Sequence, residues 1–361
     1  MNTSCFSSSY AEARERFMEA ASSLGADITS HPLSADSRDA LAIDVATVGR
    51  DGDPTIVTSS GVHGVEGFMG SAVQLALLNR LAENGLDPNV RHVLIHAVNP
   101  YGFSTLRRFN EDNVDLNRNF LQSAKDYQGA PDGYAEQDRF LNPKSPPSSL
   151  EPFKVKAVWN IWRNGLQKLK QSVAAGQYEF PQGLFFGGRG PSESARLVIE
   201  NCDTWIGTSE RVIHIDFHSG LGAFGTYKLL LSVPADSPDY RWYTKTFGAD
   251  CVEAYASPGE ATAYDASGLF NEWMRNHFSS RDYKDVCAEF GTYPVIRVLG
   301  ALRAENRSHH HGSEASSSYQ SSKRELLECF CPQDESWRER VVDSGLEIID
   351  QSTAALRSSD A

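Results

Sequence analysis

A histidine and a glutamate in a glycine-rich turn are the first residues of this chain that could do chemistry. Gly61-Val62-His63-Gly64-Val65-Glu66-Gly67 places an imidazole three residues before a carboxylate, between a β-branched stretch and an apolar one. Zinc in proteins is bound by imidazole nitrogens and carboxylate oxygens, commonly at the carboxyl end of a sheet. His63 and Glu66 are therefore predicted to form part of a metal site, which still needs a third ligand and a base.

A second stretch offers that third ligand. Asp216-Phe217-His218-Ser219-Gly220 ends an apolar run and enters a glycine-containing loop. Because side chains alternate along a strand, His214, Asp216 and His218 share one face. His218, at the edge of the loop, is best placed to reach a crevice, and Asp216 could orient it as a hydrogen-bond acceptor. On the residues alone, a histidine satisfied in the core or on the surface remains the alternative.

Arginines and a lone carboxylate supply possible substrate contacts and a base. Arg107-Arg108 and Asn117-Arg118 follow a predicted strand closely, and Glu289 ends a short apolar one. Arginine forks bind carboxylates, and an arginine near a scissile carbonyl can stabilise a developing oxyanion. A solvated basic loop and an ordinary edge glutamate are the alternatives, but beside a metal Glu289 becomes a candidate general base.

The elements that must position these residues alternate between strands and helices. Strand patterns cover residues 41–48, 55–60, 91–98, 211–218, 226–233 and 286–290, and helical patterns cover 9–24, 68–84, 152–175, 266–278, 294–306 and 335–356. Residues 307–322 are predicted to form an exposed loop. This order favours an α/β fold with a mixed, mainly parallel central sheet flanked by helices. We expect a single catalytic domain over 1–361, with an inserted helical and loop excursion at about 121–190 and a C-terminal helical segment at about 323–357.

Composition narrows the class of protein. The 361 residues carry 34 basic and 47 acidic side chains, a net charge of −13 that argues against a nucleic-acid or anionic-membrane partner. No apolar run approaches the ~18 residues that span a bilayer, and the polar N-terminus lacks the pattern of a signal peptide. The six cysteines include no CxxC pair. Reduced cysteines in a cytoplasmic protein are the expectation.

Five motifs in order resemble those of the M14 zinc carboxypeptidase superfamily, and particularly its DUF2817 branch. They are His63-Gly-Val-Glu66, Asn99-Pro-Tyr-Gly-Phe, Asp115-Leu-Asn117-Arg118-Asn-Phe, Asp216-Phe-His218-Ser and Glu289. The Asp-Leu-Asn-Arg and Asp-x-His-Ser motifs are also similar to those of the succinylglutamate desuccinylase and aspartoacylase branch. The resemblance implies a zinc carboxypeptidase-like (phosphorylase/hydrolase-like) fold.

The resemblance also implies a role for each residue that matches a motif. One Zn²⁺ per chain would be bound by His63, Glu66 and His218, and Glu289 would be the general base. Arg108, or less favourably Arg107, would polarise the carbonyl of the substrate. Asn117 and Arg118 would bind a substrate carboxylate, and Tyr264 would be the mobile tyrosine. The expected activity is hydrolysis of a C–N amide bond in a small peptide or other carboxylate-bearing substrate. The alternatives are an N-acyl amino acid deacylase and a catalytically silent binding protein. A serine hydrolase is disfavoured because the chain has no Gly-x-Ser-x-Gly elbow.

Overall fold

An eight-stranded mixed sheet forms the centre of the computed structural model, which describes residues 2–34, 40–148, 151–164, 175–254 and 266–358. The strands are β1 (Asp27–Pro32), β2 (Ala42–Val48), β3 (Thr55–Ser60), β4 (Arg91–His96), β5 (Arg211–Ser219), β6 (Tyr227–Leu231), β7 (Val252–Ala254) and β8 (Asp282–Phe290). Their spatial order is β1-β2-β4-β3-β5-β8-β6-β7.

The four central strands, β4, β3, β5 and β8, run parallel to one another. Every residue of β3 and β4 is buried, which fits strands that are covered by helices on both faces. Towards the edges, the pairs β1–β2, β2–β4 and β6–β8 are antiparallel, and β7 pairs parallel with β6. The parallel centre brings the carboxyl ends of β3, β5 and β8 to one edge of the sheet, where ligands bind in open α/β folds.

Helices cover the sheet. They are α1 (Tyr10–Ser23), α2 (Gly67–Asn84), α3 (Pro100–Ser104), α4 (Tyr134–Leu141), α5 (Phe153–Asn164), α6 (Glu193–Ile206), α7 (Pro238–Phe247), α8 (Phe270–His277), α9 (Val295–His311), α10 (Ser317–Phe330) and α11 (Glu335–Arg357). Ser9 caps the N-terminus of α1, because its hydroxyl accepts from the Glu12 backbone N–H. α2 packs against α1, α11 and the central strands, so its first twelve residues are all buried.

The excursion at 121–190 lies against the C-terminal helices. Phe109, Tyr134 and Leu184 share a buried apolar cluster with Val298 of α9 and Leu326 of α10. Glu151 adds a polar link, since its carboxylate forms ion pairs with Arg303 and Arg307 of α9. Residues 165–174, the second half of the helix predicted for 152–175, lie outside the described residues.

The α/β fold with a mixed sheet is confirmed, with two departures in detail. Strands β1 and β7 were not predicted, because neither Asp27–Pro32 nor Val252–Ala254 shows an apolar alternation long enough to stand out. The predicted loop at 307–322 is wrong: α9 runs to His311 and α10 begins at Ser317. Among the described residues, no helix combines the length and the apolar character needed to cross a membrane.

Candidate metal centre

The sheet brings the three predicted metal ligands together. β3 ends at Ser60, and Gly61, at φ 68°, turns the chain towards a short 3-10 turn, Gly64–Glu66. His63 directly precedes this turn and Glu66 is its last residue. His218 lies next to the last residue of the neighbouring strand β5. All three side chains are buried, and one ligand atom from each lies within 4.8 Å of the others.

Glu66 is the centre of this cluster. His63 Nδ1 lies 2.8 Å from Glu66 Oε1, and His218 Nδ1 lies 3.0 Å from Glu66 Oε2. The two Nδ1 atoms are 3.2 Å apart. Burial alone would raise the pKa of Glu66, but the adjacent His63 and His218 hold it well below its ordinary value. Two imidazole nitrogens and an ionised carboxylate therefore converge on one point.

The opposite ring nitrogens are held by two aspartates. His63 Nε2 lies 3.1 Å from Asp115 Oδ1, and His218 Nε2 lies 2.6 Å from Asp216 Oδ2. The other carboxylate oxygen of Asp216, Oδ1, accepts a hydrogen bond from Ser59 Oγ at 2.6 Å. A carboxylate accepts hydrogen bonds, so Asp115 and Asp216 favour a hydrogen on each Nε2, and each ring would then present its Nδ1 lone pair to a bound metal. The contact predicted between Asp216 and His218 is present.

Asp115 received no such role from the sequence, although it opens the Asp-Leu-Asn-Arg motif. It is fully buried, and although burial would raise its pKa, Arg108 and then His63 hold that pKa well below the ordinary range. The available signal was its place two residues before Asn117. Nothing local, however, indicates that it reaches His63, 52 residues earlier.

Backbone carbonyls of the loop that carries Arg107 and Arg108 (the arginine loop) accept hydrogen bonds from the turn that carries His63 and Glu66 (the ligand turn). Val65 N–H donates to Arg107 O at 2.7 Å, and Gly64 N–H donates to Arg108 O at 3.2 Å. Gly64 is packed so tightly that a Cβ there would lie 2.1 Å from a backbone atom of Gly102. Leu106, directly before this loop, has φ 52°, a strained conformation that non-glycine residues rarely adopt. The loop and the turn are therefore closely packed and joined by backbone hydrogen bonds.

The two arginines of this loop point to different partners. Arg108 Nε donates to Asp115 Oδ2 at 2.9 Å, and its Nη1 lies 3.4 Å from Glu66 Oε1, so this guanidinium borders the cluster. The Arg107 side chain is instead buried against Glu305 of α9, with Nε 2.9 Å from Glu305 Oε1. Of the two arginines considered for the carbonyl, the one that contacts the cluster is Arg108.

Glu289 lies beside His218, because these residues pair across the parallel strands β5 and β8. Its Oε1 accepts from Leu221 N–H at 2.7 Å. Burial, followed by the nearby charge of Glu66, raises the pKa of Glu289 to about 7. Cys287, two residues earlier and therefore on the same face of β8, has its sulfur within 4.8 Å of ligand atoms of both His218 and Glu289. No role was predicted for Cys287, although its spacing from Glu289 placed it on that face.

The predicted carboxylate clamp follows Asp115 in a second 3-10 turn. Asn117 Oδ1 accepts from Phe270 N–H at 2.9 Å, so the amide group of this side chain has N–H donors to offer a ligand. Arg118 is buried, donates to Asn117 O, and lies near enough to Asp115 to lower its pKa. Tyr264, the predicted mobile tyrosine, lies outside the described residues.

The donor set fits a divalent cation of the zinc type. Burial would lower the pKa of His218, but Asp216, Cys287 and Glu66 raise it well above its ordinary value, and the pKa of Glu289 is also raised. Both shifts express a buried excess of carboxylates that a cation would relieve. Two imidazoles plus one carboxylate, with each imidazole backed by a carboxylate, is the ligand chemistry of catalytic zinc sites.

Solved structures of similar fold are known for this chain. The structure of bovine thrombin-activatable fibrinolysis inhibitor, solved with tick carboxypeptidase inhibitor, has a TM-score of 0.50, with 11% identity over 95% of this chain and 98% of that chain. Carboxypeptidase A of Helicoverpa armigera has a TM-score of 0.49, with 12% identity over 97% of this chain and 74% of that chain. A candidate metallopeptidase of Shewanella denitrificans has a TM-score of 0.42, with 15% identity over 89% and 90%. The chain has a carboxypeptidase-like fold.

The profile of one protein family covers nearly the whole chain. It is described as "Protein of unknown function (DUF2817)" and matches residues 6–344. The chain belongs to this family, as its motifs predicted. No curated protein matches the sequence.

Proposed function

We propose that this chain is a zinc-dependent hydrolase that cleaves a C–N amide bond in a small substrate bearing a carboxylate, in the manner of metallocarboxypeptidases. The observation that carries the proposal is the convergence of His63 Nδ1, Glu66 and His218 Nδ1, with Glu289 on the adjacent strand. A metal-binding group with a buried carboxylate on the adjacent strand is the minimal equipment for metal-assisted hydrolysis.

The metal would be held by His63, Glu66 and His218, one Zn²⁺ per chain. When bound, the ion supplies Lewis-acid polarisation of a water and of the substrate carbonyl. Asp115 and Asp216 keep the two rings in the tautomer that ligation requires, so the ligands need no rearrangement. The binding site is thus already organised by hydrogen bonds within the chain.

Proton transfer falls to Glu289. This carboxylate, which is buried and lies beside His218, would accept a proton from the attacking water and return it to the leaving amine nitrogen. The Leu221 N–H donor at Oε1 fixes the carboxylate and leaves Oε2 as the oxygen for this proton transfer. The bond between the carbonyl carbon and the water oxygen forms first, and the π electrons of the carbonyl move onto its oxygen. The C–N bond then breaks as the carbonyl re-forms, and the amine leaves with the transferred proton.

Three side chains would bind negative charge on the substrate. Arg108 borders Glu66 and Asp115 and would stabilise the oxyanion that develops on the carbonyl. Asn117 and Arg118 would bind a free carboxylate next to the scissile bond, since both offer N–H donors from buried positions. This pairing supports a substrate with a terminal carboxylate, either a peptide or an N-acyl amino acid.

Metal analysis tests the ligand assignment. Purified protein is expected to hold close to one zinc per chain, and His63→Ala and His218→Ala are each expected to lose it. His277→Ala is the matched control, because His277 lies in a separate, partly exposed group with Cys202 and Asp203. Stoichiometric zinc in both site variants, or its loss in the control alone, would contradict the assignment.

The base is tested separately from the metal. Glu289→Gln is expected to retain zinc and lose turnover by about 10²–10⁴-fold, the usual contribution of a general base. Glu210→Gln, at an exposed position before β5, is the control and is expected to remain fully active. Undiminished turnover in Glu289→Gln would reject Glu289 as the base.

A substrate panel identifies the bond that is cleaved. Peptides with free and amidated C-termini are compared with N-acyl amino acids, using wild-type protein and Arg118→Met. We expect cleavage to require a free carboxylate and the Arg118 variant to raise KM more than it lowers kcat. Equal cleavage of amidated and free peptides would remove the carboxylate clamp from the proposal, and a preference for N-acyl amino acids would assign the deacylase class.

A further inference from the structure

Helix α5 presents an apolar face to solvent. Val155, Val158, Trp159 and Trp162 are 69%, 57%, 55% and 80% exposed, and they account for four of the six large hydrophobic side chains that are exposed in the described part of the chain. Their spacing of three, four and seven residues places them on one side of the helix. Such a face is of the order of 500 Å², which reaches the range of functional patches on soluble proteins.

The opposite face of α5 fixes the helix to the body of the protein. Ala157 is buried, and the Phe153 ring stacks on Phe140 at 5.8 Å between centroids. The Arg303 guanidinium of α9 lies 5.2 Å from the Phe153 ring centroid. The outward face is therefore set by packing on the inner side, about 180° around the helix from Phe153 and Ala157.

The charge of α5 is opposite to that of the chain. Residues 153–164 contain Lys154, Lys156 and Arg163 and no acidic residue, whereas the whole chain carries −13. At 100° per residue, Lys154 lies on one side of the apolar face and Lys156 on the other, and both are exposed. Lys156 Nζ also lies 3.2 Å from Glu151 Oε1, so Lys154 is the cation this face offers first. Cations flanking a face that contains two tryptophans complement the phosphates and acyl boundary of an anionic lipid surface.

A second copy of this chain fits the face less well. Its area is below the roughly 800 Å² per partner typical of a stable interface. A two-fold pairing of α5 with itself would also place lysines against lysines. The net negative charge, which argued against an anionic membrane partner, describes the chain as a whole and not this helix.

We propose that α5 docks this protein reversibly on anionic lipid surfaces, with Trp162 and its apolar neighbours entering the interface and Lys154 contacting phosphates. The proposal is independent of the hydrolase reaction. A single short helix supports weak, salt-sensitive association, since screening shortens the reach of its cations to about 8 Å at physiological salt.

Vesicle co-sedimentation of the full chain tests this proposal. Binding is expected to vesicles of phosphatidylserine and phosphatidylcholine, to fall by at least tenfold without phosphatidylserine, and to weaken as salt rises. The double variant Val155→Ser/Trp162→Ser is expected to lose binding by at least tenfold, and Lys154→Gln by about fivefold. Leu86→Ser and Lys245→Gln, at exposed positions outside α5, are the matched controls and should bind like wild type.

Circular dichroism and sedimentation equilibrium complete the test. The variants replace exposed side chains, so an unchanged spectrum and unchanged zinc content are expected. No binding to either vesicle, or binding that the double variant retains, would overturn the proposal. It would equally be overturned if wild-type protein were a dimer that the double variant makes monomeric without any lipid effect, because α5 would then be a protein–protein interface.

Discussion

Glu305 lies between two buried cations, and removing its charge is expected to destabilise the fold strongly. Its Oε1 accepts from Arg107 Nε at 2.9 Å and from Lys323 Nζ at 2.7 Å. Exposure of the Arg107, Glu305 and Lys323 side chains is 0%, 1% and 7%. Burial would raise the pKa of Glu305, but Arg107 and then Lys323 lower it, so the carboxylate is ionised where it meets them.

The expected loss in the free energy of unfolding follows from the charges that remain after the substitution. Glu305→Gln keeps an oxygen acceptor but leaves the Arg107 and Lys323 charges buried without a counter-charge. Breaking a buried pair in this way typically costs about 3–5 kcal/mol. The exposed pair Arg80–Asp350, at 2.8 Å, serves as a matched control, and Asp350→Asn is expected to cost less than about 1 kcal/mol.

Urea unfolding followed by tryptophan fluorescence measures the difference. Glu305→Gln should lower the midpoint strongly with little change in slope, and Asp350→Asn should leave the midpoint nearly unchanged. Adding Lys323→Met to Glu305→Gln removes one of the two stranded cations, so the double variant should be more stable than the sum of the single effects. A loss below about 1 kcal/mol for Glu305→Gln, or strict additivity in the double variant, would refute this account of the cluster.

Three further predictions concern the metal centre and pH. Asp216→Asn should lower zinc affinity about 10–100-fold in a chelator competition, because the His218 ring loses its carboxylate partner; equal affinity would contradict that role. Gly64→Ala should displace the turn that carries the ligands and should lose zinc. Gly190→Ala is the control and should retain zinc, because a Cβ there meets nothing within 4 Å. Retained zinc in Gly64→Ala would show that the turn tolerates displacement. Hydrogen bonds from the arginines of α9 lower the pKa of Glu151 from 4.5 to about 2, so its stabilising effect is full above pH 4.5 and is lost as pH falls towards 2. The free energy of unfolding of Glu151→Gln should therefore change less between pH 5.5 and pH 3 than that of wild type, and identical pH dependence would exclude this contribution.

The fold and the centre of the candidate site were accessible from the sequence for a physical reason. β3, β5 and β8 are buried strands whose apolar, β-branched runs stand out, and each has a reactive residue at or just beyond its carboxyl end. Because parallel strands present these ends at one edge, His63, His218 and Glu289 could be expected to meet before their distances were known.

Side-chain contacts between residues far apart in the chain could not be predicted from the sequence. Arg107 meets Glu305 across 198 residues, and no local pattern distinguishes it from Arg108 next to it. The helix through His309–His311 was missed because the buried face of α9 is polar there: Glu305 contacts Lys323, and Ser308 Oγ accepts from Ser322 Oγ at 2.8 Å. An apolar periodicity cannot reveal a helix whose inner face is made of such pairs.

The backbone hydrogen bonds between the ligand turn and the arginine loop have a consequence for dynamics. The amide hydrogens of Gly64 and Val65 are buried and bonded to Arg108 O and Arg107 O, so they exchange with solvent only when turn and loop separate. Separation would displace His63, Glu66 and Arg108 together. The exchange rates of these two amides therefore report the opening free energy of the whole centre, from two positions that carry none of its reactive side chains.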